Sequence, residues 1–252
     1  MTDMALEARG LRRTFGGISA VDGVDLAVQA GEFRAIIGPN GAGKTTLFTL
    51  LTGRVRVHAG TMTFEGVDIT RLPPHRRCRA GIGRTFQINN VFASASVREN
   101  VRLALLAFHR QSWNMLVPAA RLHSAETDEI VAMVGLSREI ARRASEISYG
   151  DRRRLELAIA LACRPRLLLL DEPTCGMSIA DRPALIALIQ DIRRKTGMTV
   201  IMIEHDMDLV FSVADRIAVM HHGRVIADGT PGEIASDRHV QDVYLGEDFN
   251  LA

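Results

Sequence analysis

The run Gly38-Pro39-Asn40-Gly41-Ala42-Gly43-Lys44-Thr45-Thr46 constrains this chain more than any other feature. It fits the pattern G-x-x-x-x-G-K-[ST] and lies between the apolar stretch Phe33 to Ile37 and a helical pattern beginning at Lys44, the strand, loop and helix order that such a loop requires. Glycine lets the backbone turn successive N–H groups toward one point, and the helix start adds roughly half a positive charge facing the same place. Phosphate oxygens fit that environment. Lys44 is placed to reach the β and γ phosphates of a nucleotide, and Thr45 offers a hydroxyl to a magnesium ion.

The pattern around the loop predicts an α/β chain. Alternating apolar positions (Leu6, Ala8; Val24, Leu26, Val28) predict two antiparallel strands joined by a turn at Gly16 and Gly17. From Phe33 onward short continuous apolar runs recur, FRAII, Leu167 to Leu170, Val200 to Ile203 and Ile217 to Met220, which suit strands of a parallel sheet covered on both faces. Helices are expected at Lys44 to Thr52, Ala125 to Gly135, Asp151 to Cys163 and Asp181 to Lys195. Between about Asn89 and Gly150 apolar residues recur at helical spacing without a buried-strand run, so an inserted helical subdomain is expected there. Trp113 is expected to pack within it.

Composition narrows the partners. Lys plus Arg number 31 against Asp plus Glu 29, a formal net charge of +2, so no nucleic-acid partner is expected from the totals. The cluster Arg71, Arg76, Arg77, Arg79 and Arg84 reads as a solvated face. Cys78, Cys163 and Cys175 are odd in number and widely spaced, which argues against a disulfide framework or a structural zinc site and fits a reducing compartment. The three are read as inert, with Cys175 closest to the expected site. His221 and His222 are adjacent, so on a strand they would face opposite ways and make a poor metal pair. No stretch approaches the length of a membrane span, and the opening MTDMALEARG does not predict a secretory leader.

A second chemical element follows the leucine run: Asp171 and Glu172, closed by Pro173. Ligands of open α/β sheets bind at the carboxyl ends of the strands, so Asp171 is placed to hold Mg²⁺ through water and Glu172 to polarise or deprotonate an attacking water. Ser148 and Gly150 precede another helix, whose first amides form a second anion site needing its own phosphate.

With GPNGAGKTT and LLLLDE, three further segments resemble the ABC-type ATPases: Ile147-Ser148-Tyr149-Gly150-Asp151 the signature, Gln87 after Thr85-Phe86 the Q-loop, and His205 after Val200 to Ile203 the switch histidine. They stand in the family's order, and the resemblance runs from Leu6 to about Phe249. It implies a P-loop NTPase with a mostly parallel core sheet, an N-terminal antiparallel β subdomain and an inserted helical subdomain. Residues 1–88 and 151–252 would form the core and 89–150 the helical part. It also implies a dimer with two ATP molecules sandwiched between subunits. Ser148 and Gly150 of one copy would then close on the γ-phosphate cradled by Gly43 and Lys44 of the other. Gln87 would touch Mg²⁺ and the lytic water, with Phe92 and Asn100 sensing the partner. His205 would contact the γ-phosphate, and Phe15 would stack on adenine.

Two positions depart from the family's pattern. Asp151 stands where Gln is usual, followed by Arg152, Arg153 and Arg154, which are expected to compensate its charge. Ser178 stands where the D-loop usually ends in Asp. Beyond the shared motifs, RTFQ, LPPHR, ISYGDRRRLELAIAL, IEHDMDLV and VYLGEDF resemble the ATPase subunits of branched-chain amino acid importers. That likeness implies a second ATPase subunit, two integral membrane permease subunits and, indirectly, a periplasmic solute-binding protein, with this chain peripheral on the cytoplasmic face of the inner membrane. Uptake of urea, amides or another small solute stays open, as does lipopolysaccharide export, whose ATPase the YLGEDF ending also resembles. A soluble non-transport ABC ATPase is the remaining alternative. Such proteins usually carry two nucleotide domains or long coiled-coil inserts, and the sequence has neither.

Overall fold

The structure is a computed structural model, described here for residues 4–85, 91–111 and 122–248. Strands β1 (Met4–Phe15) and β2 (Ile18–Gln29) form the expected antiparallel hairpin, turning at Gly16 and Gly17 with φ of 49° and 88°. Two consecutive positive φ values match the right-handed twist of the flanking strands, which is why two glycines sit there. With β4 (Ala59–Phe64) and β5 (Val67–Asp68) they make a four-stranded sheet in the order β2-β1-β4-β5.

The second sheet holds β3 (Phe33–Ile37), β6 (Ile82–Arg84), β7 (Leu167–Asp171), β8 (Thr199–Ile203), β9 (Arg216–His221) and β10 (Arg224–Gly229), in the order β10-β9-β3-β8-β7-β6. All neighbours are parallel except β10, an antiparallel edge strand reached from β9 by the two-residue turn His222-Gly223. The continuous apolar runs follow from burial on both faces. Phe33, Ala35, Ile37, Leu168, Leu170, Val200 and Met202 point into one core, while Ile36, Leu167, Leu169, Ile201 and Ile203 point into another.

That second core is closed by the N-terminal sheet (Leu6, Ala8, Val24, Leu26, Val28) and by α1 (Lys44–Leu51) through Leu47, Phe48, Leu50 and Leu51. A short helix α2 (Pro74–Arg79) precedes β6. The first core is closed by α3 (Val97–Phe108), α4 (Ser124–Met133), α5 (Tyr149–Leu161) and α6 (Arg182–Thr196). Helix α3 opens with a capping box, Ser96 and Glu99 satisfying each other's backbone amides, and buries Val97, Val101 and Leu105 at the spacing read from sequence. The chain continues through α7 (Met207–Val213), α8 (Pro231–Ser236) and α9 (Arg238–Asp248). Arg34, on β3 and only 2% exposed, joins the two sheets: it pairs with Glu32 and Asp228 at 2.5 Å each and donates to the Ala27 carbonyl of β2 at 2.9 Å.

Candidate active site

The loop after β3 is shaped by contacts that leave no room for side chains. Gly38 has φ of 145° and Gly43 of 101°, and a Cβ on them would lie 2.0 Å from the Met220 carbonyl oxygen and 2.2 Å from the Ala20 carbonyl oxygen. At Gly41 a Cβ would meet nothing within 4 Å, which marks the open side of the cradle. Ala42 is buried, its amide closing onto the Pro39 carbonyl at 3.2 Å and its carbonyl accepting from Gly223 N at 2.9 Å. Gly223 in turn accepts from Asp22 N, so the loop is stitched to both sheets. Lys44 begins α1, is 6% exposed, and donates from Nζ to the Gly38 carbonyl at 2.5 Å and the Pro39 carbonyl at 2.8 Å. Asn40 and Thr45 are exposed and Thr46 half-buried at the same rim.

Because β3, β8 and β7 are neighbours, their carboxyl ends bring the acidic pair and the histidine to one edge. Glu172, just past β7, has φ of 49°, a left-handed conformation costing a non-glycine residue about 1–3 kcal/mol. Its carboxylate meets His205 directly, Nε2 to Oε1 at 2.8 Å. Asp171 is buried and ion-paired through Oδ2 with Arg84 at 2.7 Å, while its Oδ1 is buried with no hydrogen-bond partner. Glu204, 4% exposed at the end of β8, accepts from both the amide and the hydroxyl of Thr174, at 2.9 and 2.5 Å. Sequence reasoning missed Arg84 and Glu204. An acid directly after a fully apolar strand was the available signal for Glu204. Arg84 is placed by the register of β6 against β7, which no local pattern encodes.

At the second helix start, Ser148 caps α5. Its Oγ accepts from Asp151 N at 3.1 Å and donates to Asp151 Oδ2 at 2.7 Å, so Asp151 serves the cap and the first helical turn. Ser148 stands at the surface, and a Cβ on Gly150 would meet only Met177 Cε at 3.8 Å and Ser148 Oγ at 4.0 Å. The middle arginine of the three, Arg153, does not compensate Asp151. Arg153 is buried, pairs with Glu156 at 3.0 Å, and donates at 2.8 Å to the Tyr149 hydroxyl and to the Cys175 carbonyl, to which that hydroxyl also donates. Ser178 donates to Asp181 Oδ2 at 2.6 Å, placing a carboxylate three residues beyond the position where the family carries one.

Phe15 ends β1, is 44% exposed, and carries the Arg13 guanidinium 4.5 Å over its ring, so it belongs to a surface and not to the core. Asn100 accepts from Phe92 N at 2.8 Å and donates to its carbonyl at 3.1 Å, holding the chain ahead of α3. Gln87 and Trp113 lie outside the described residues.

The structure departs from two sequence expectations. The arginine cluster is not one solvated face: Arg71, Arg76 and Arg79 are exposed, but Arg84 pairs with Asp171. Arg77 is 2% exposed and donates to the carbonyls of Leu50, Leu51, Thr70 and Leu72. Burial pushes its guanidinium down to about 10 against the pull of Asp68. His221 and His222 do not face opposite ways, since His222 turns the hairpin at φ of 46° and the rings lie 3.9 Å apart. All three cysteines are free, Cys78 and Cys163 half-buried and Cys175 exposed.

Comparison with known proteins matches this geometry to a family. The ABC transporter family model covers residues 21–175, from β2 past the Asp171-Glu172 pair, and a model described as branched-chain amino acid ATP-binding cassette transporter covers 224–250. The chain is 41% identical to the high-affinity branched-chain amino acid transport ATP-binding protein BraF of Pseudomonas aeruginosa, over 98% of this chain and all of that protein. It is 37% identical, with the same coverage, to the corresponding protein LivG of Escherichia coli. The ADP conformation of MJ1267, an ATP-binding cassette of an ABC transporter, superposes with a TM-score of 0.87 at 29% identity, covering 96% of this chain and 99% of that one. With the phosphate loop, the acidic pair and the histidine gathered on one sheet edge, the chain belongs to the ABC transporter family, as one of its ATP-binding cassettes.

Proposed function

We propose that this cassette binds ATP with Mg²⁺, hydrolyses it, and so energises uptake of branched-chain amino acids or a related small solute. The reading rests on one observation above the others: the Glu172 carboxylate sits at the carboxyl edge of the sheet in direct contact with His205. Beside them on the same edge are the phosphate loop and a buried carboxylate oxygen, Asp171 Oδ1, with nothing bound to it among the described residues. An orphaned carboxylate oxygen is the donor a hard cation takes, so the site fits Mg²⁺. Thr45, Asp171 and Gln87 would hold it, and when bound it neutralises charge on the phosphates.

The chain's own groups divide the remaining work. Amides of residues 38–46 and the Lys44 ammonium grip the triphosphate, Lys44 exchanging its carbonyl partners for phosphate oxygens. Glu172 orients the attacking water and accepts its proton. His205, held by Glu172, is aimed at the γ-phosphate, and Phe15 offers its exposed ring to adenine. The far wall, Ser148 and Gly150, comes from a second ATPase subunit. No described helix is long and apolar enough to cross a membrane, so transport runs through other chains: two integral membrane permease subunits, with a periplasmic solute-binding protein acting on their far side. The cassette would sit peripherally on the cytoplasmic face. The cargo reading rests on the names of the relatives and on the match at 224–250.

The test uses purified full-length protein. Lys44→Ala is expected to abolish ATP binding by calorimetry. Glu172→Gln is expected to keep binding, stop turnover and give an ATP-bound dimer by size-exclusion chromatography. Wild type and Glu172→Gln hydrolysing ATP equally slowly would overturn the enzymatic reading. Permease subunits co-purifying from detergent-solubilised membranes, and the ligand of their periplasmic receptor, name the cargo.

A further inference from the structure

The end of α3 and the start of α4 bring two histidines and a glutamate together. His109 follows the last residue of α3, His123 immediately precedes α4, and Glu126 lies in the first turn of α4. His123 Nδ1 stands 3.1 Å and His109 Nε2 3.5 Å from the same oxygen, Glu126 Oε2, and one ligand atom from each residue falls within 4.8 Å of the other two. His109 is exposed and the other two are half-buried, so the group is open to solvent. None of the three belongs to the nucleotide site described above. We propose that His109, His123 and Glu126 bind a divalent transition cation of the zinc class, which staples the end of α3 to the start of α4.

The hydrogen bonds around the group leave a place for that charge. The other His123 nitrogen, Nε2, lies 2.7 Å from Gln111 Oε1 and so carries its proton toward an amide oxygen. In the neutral ring Nδ1 is then a bare acceptor facing a carboxylate oxygen at 3.1 Å, two lone pairs opposed. A cation between them takes both lone pairs and removes the conflict. A second proton on Nδ1 is the competing answer, and the experiment separates the two. A ligand histidine whose other N–H is given to an oxygen is the outer-shell pattern of metal sites. Arg164 supports it from the other side, holding Glu126 Oε1 with Nη2 at 2.7 Å and Nε at 3.0 Å and so leaving Oε2 for the ion. His123 is held at φ of 53°, in the left-handed region, a strain that collects at functional sites. The two imidazoles lie stacked, centroids 4.4 Å apart and 6° from parallel, so the exposed His109 ring turns about Cβ–Cγ to bring Nε2 onto the ion. Two imidazole nitrogens and one carboxylate oxygen suit Zn²⁺, with water in the fourth place, and do not suit Mg²⁺, which takes oxygen ligands. The bound ion closes the chain between His109 and His123 into a loop.

The experiment titrates Zn²⁺ into tag-free, chelator-treated, full-length protein without nucleotide and follows binding by calorimetry. The expected result is one ion per chain, with the melting temperature raised by roughly 5–10 °C when free Zn²⁺ is a hundredfold above its dissociation constant. Co²⁺ in its place should give the visible bands of a four-coordinate nitrogen and oxygen site, without the near-ultraviolet band of a thiolate ligand. His109→Ala and Glu126→Gln should each weaken binding by more than about a hundredfold, and His123→Asn, which keeps a residue tolerant of the left-handed backbone, should do the same. Gln111→Ala, which removes no ligand, should weaken it by about 10–100-fold. His222→Ala and Cys78→Ser should leave it unchanged. No uptake of Zn²⁺ would assign the Nδ1 position to a proton and overturn the proposal. So would uptake that survives in His109→Ala and His123→Asn, each shown folded by its melting temperature, or a thiolate band on the Co²⁺ protein.

Discussion

Two glycine-bearing helix starts face different constraints in this chain. At the phosphate loop, Gly43 is required by the fold itself, because a side chain would collide with the Ala20 backbone at a φ that other residues avoid. At the start of α5, Gly150 has ordinary geometry and room for a methyl group. The loop is finished from within, stitched by Gly223 and filled by Lys44, whereas the α5 start is capped and left facing outward. Room for a methyl group means that the fold does not account for glycine at position 150. A neighbouring subunit's phosphate would account for it.

Substitutions sharpen or break this contrast. The largest effect is expected from Arg84→Met, which leaves Asp171 buried without its cation. Breaking such a pair costs about 3–5 kcal/mol, so thermal unfolding should fall by roughly 6–20 °C. Gly43→Ala is next, combining a disfavoured φ with the Ala20 clash for about 3 kcal/mol, and calorimetry should show no ATP binding. An unchanged melting temperature there would break the comparison. Ser148→Ala removes the α5 cap, and its melting temperature should drop by roughly 2–4 °C for about 1 kcal/mol. Gly150→Ala should leave stability within about 1 kcal/mol of wild type, since alanine suits a helix better than glycine. Its ATP turnover should nonetheless fall at least about tenfold, the equivalent of some 1.4 kcal/mol in transition-state binding. Normal turnover in Gly150→Ala would show that this glycine faces no phosphate.

What could be read in advance depended on whether the information was local. FRAII, LLLL, VIMI and IAVM each became a strand of the second sheet, because burial on both faces writes itself into consecutive residues. Strand β6 spans three residues, and in β10 only Val225, Ile226 and Ala227 are apolar between charged neighbours, so neither rises above its surroundings in the sequence. Helix α5 begins at Tyr149, two residues before the expected Asp151, because Ser148 is its cap. The positions of the phosphate loop, Asp171, Glu172 and His205 at strand ends were legible for the same local reason. The Arg84–Asp171 pair and the Glu204–Thr174 clamp were not, since each joins residues at or just beyond different strands and exists only once the register is set.

The Cys175 carbonyl, gripped by the Tyr149 hydroxyl and the Arg153 guanidinium, has a mechanical consequence. Its peptide lies in the turn just after Glu172, and Gly176 leaves the tyrosine ring no slack, a Cβ there falling 2.6 Å from its oxygen. The head of α5 is thereby keyed to the turn that carries Glu172, as a crank is keyed to its shaft, and neither can shift without breaking the two hydrogen bonds that join them.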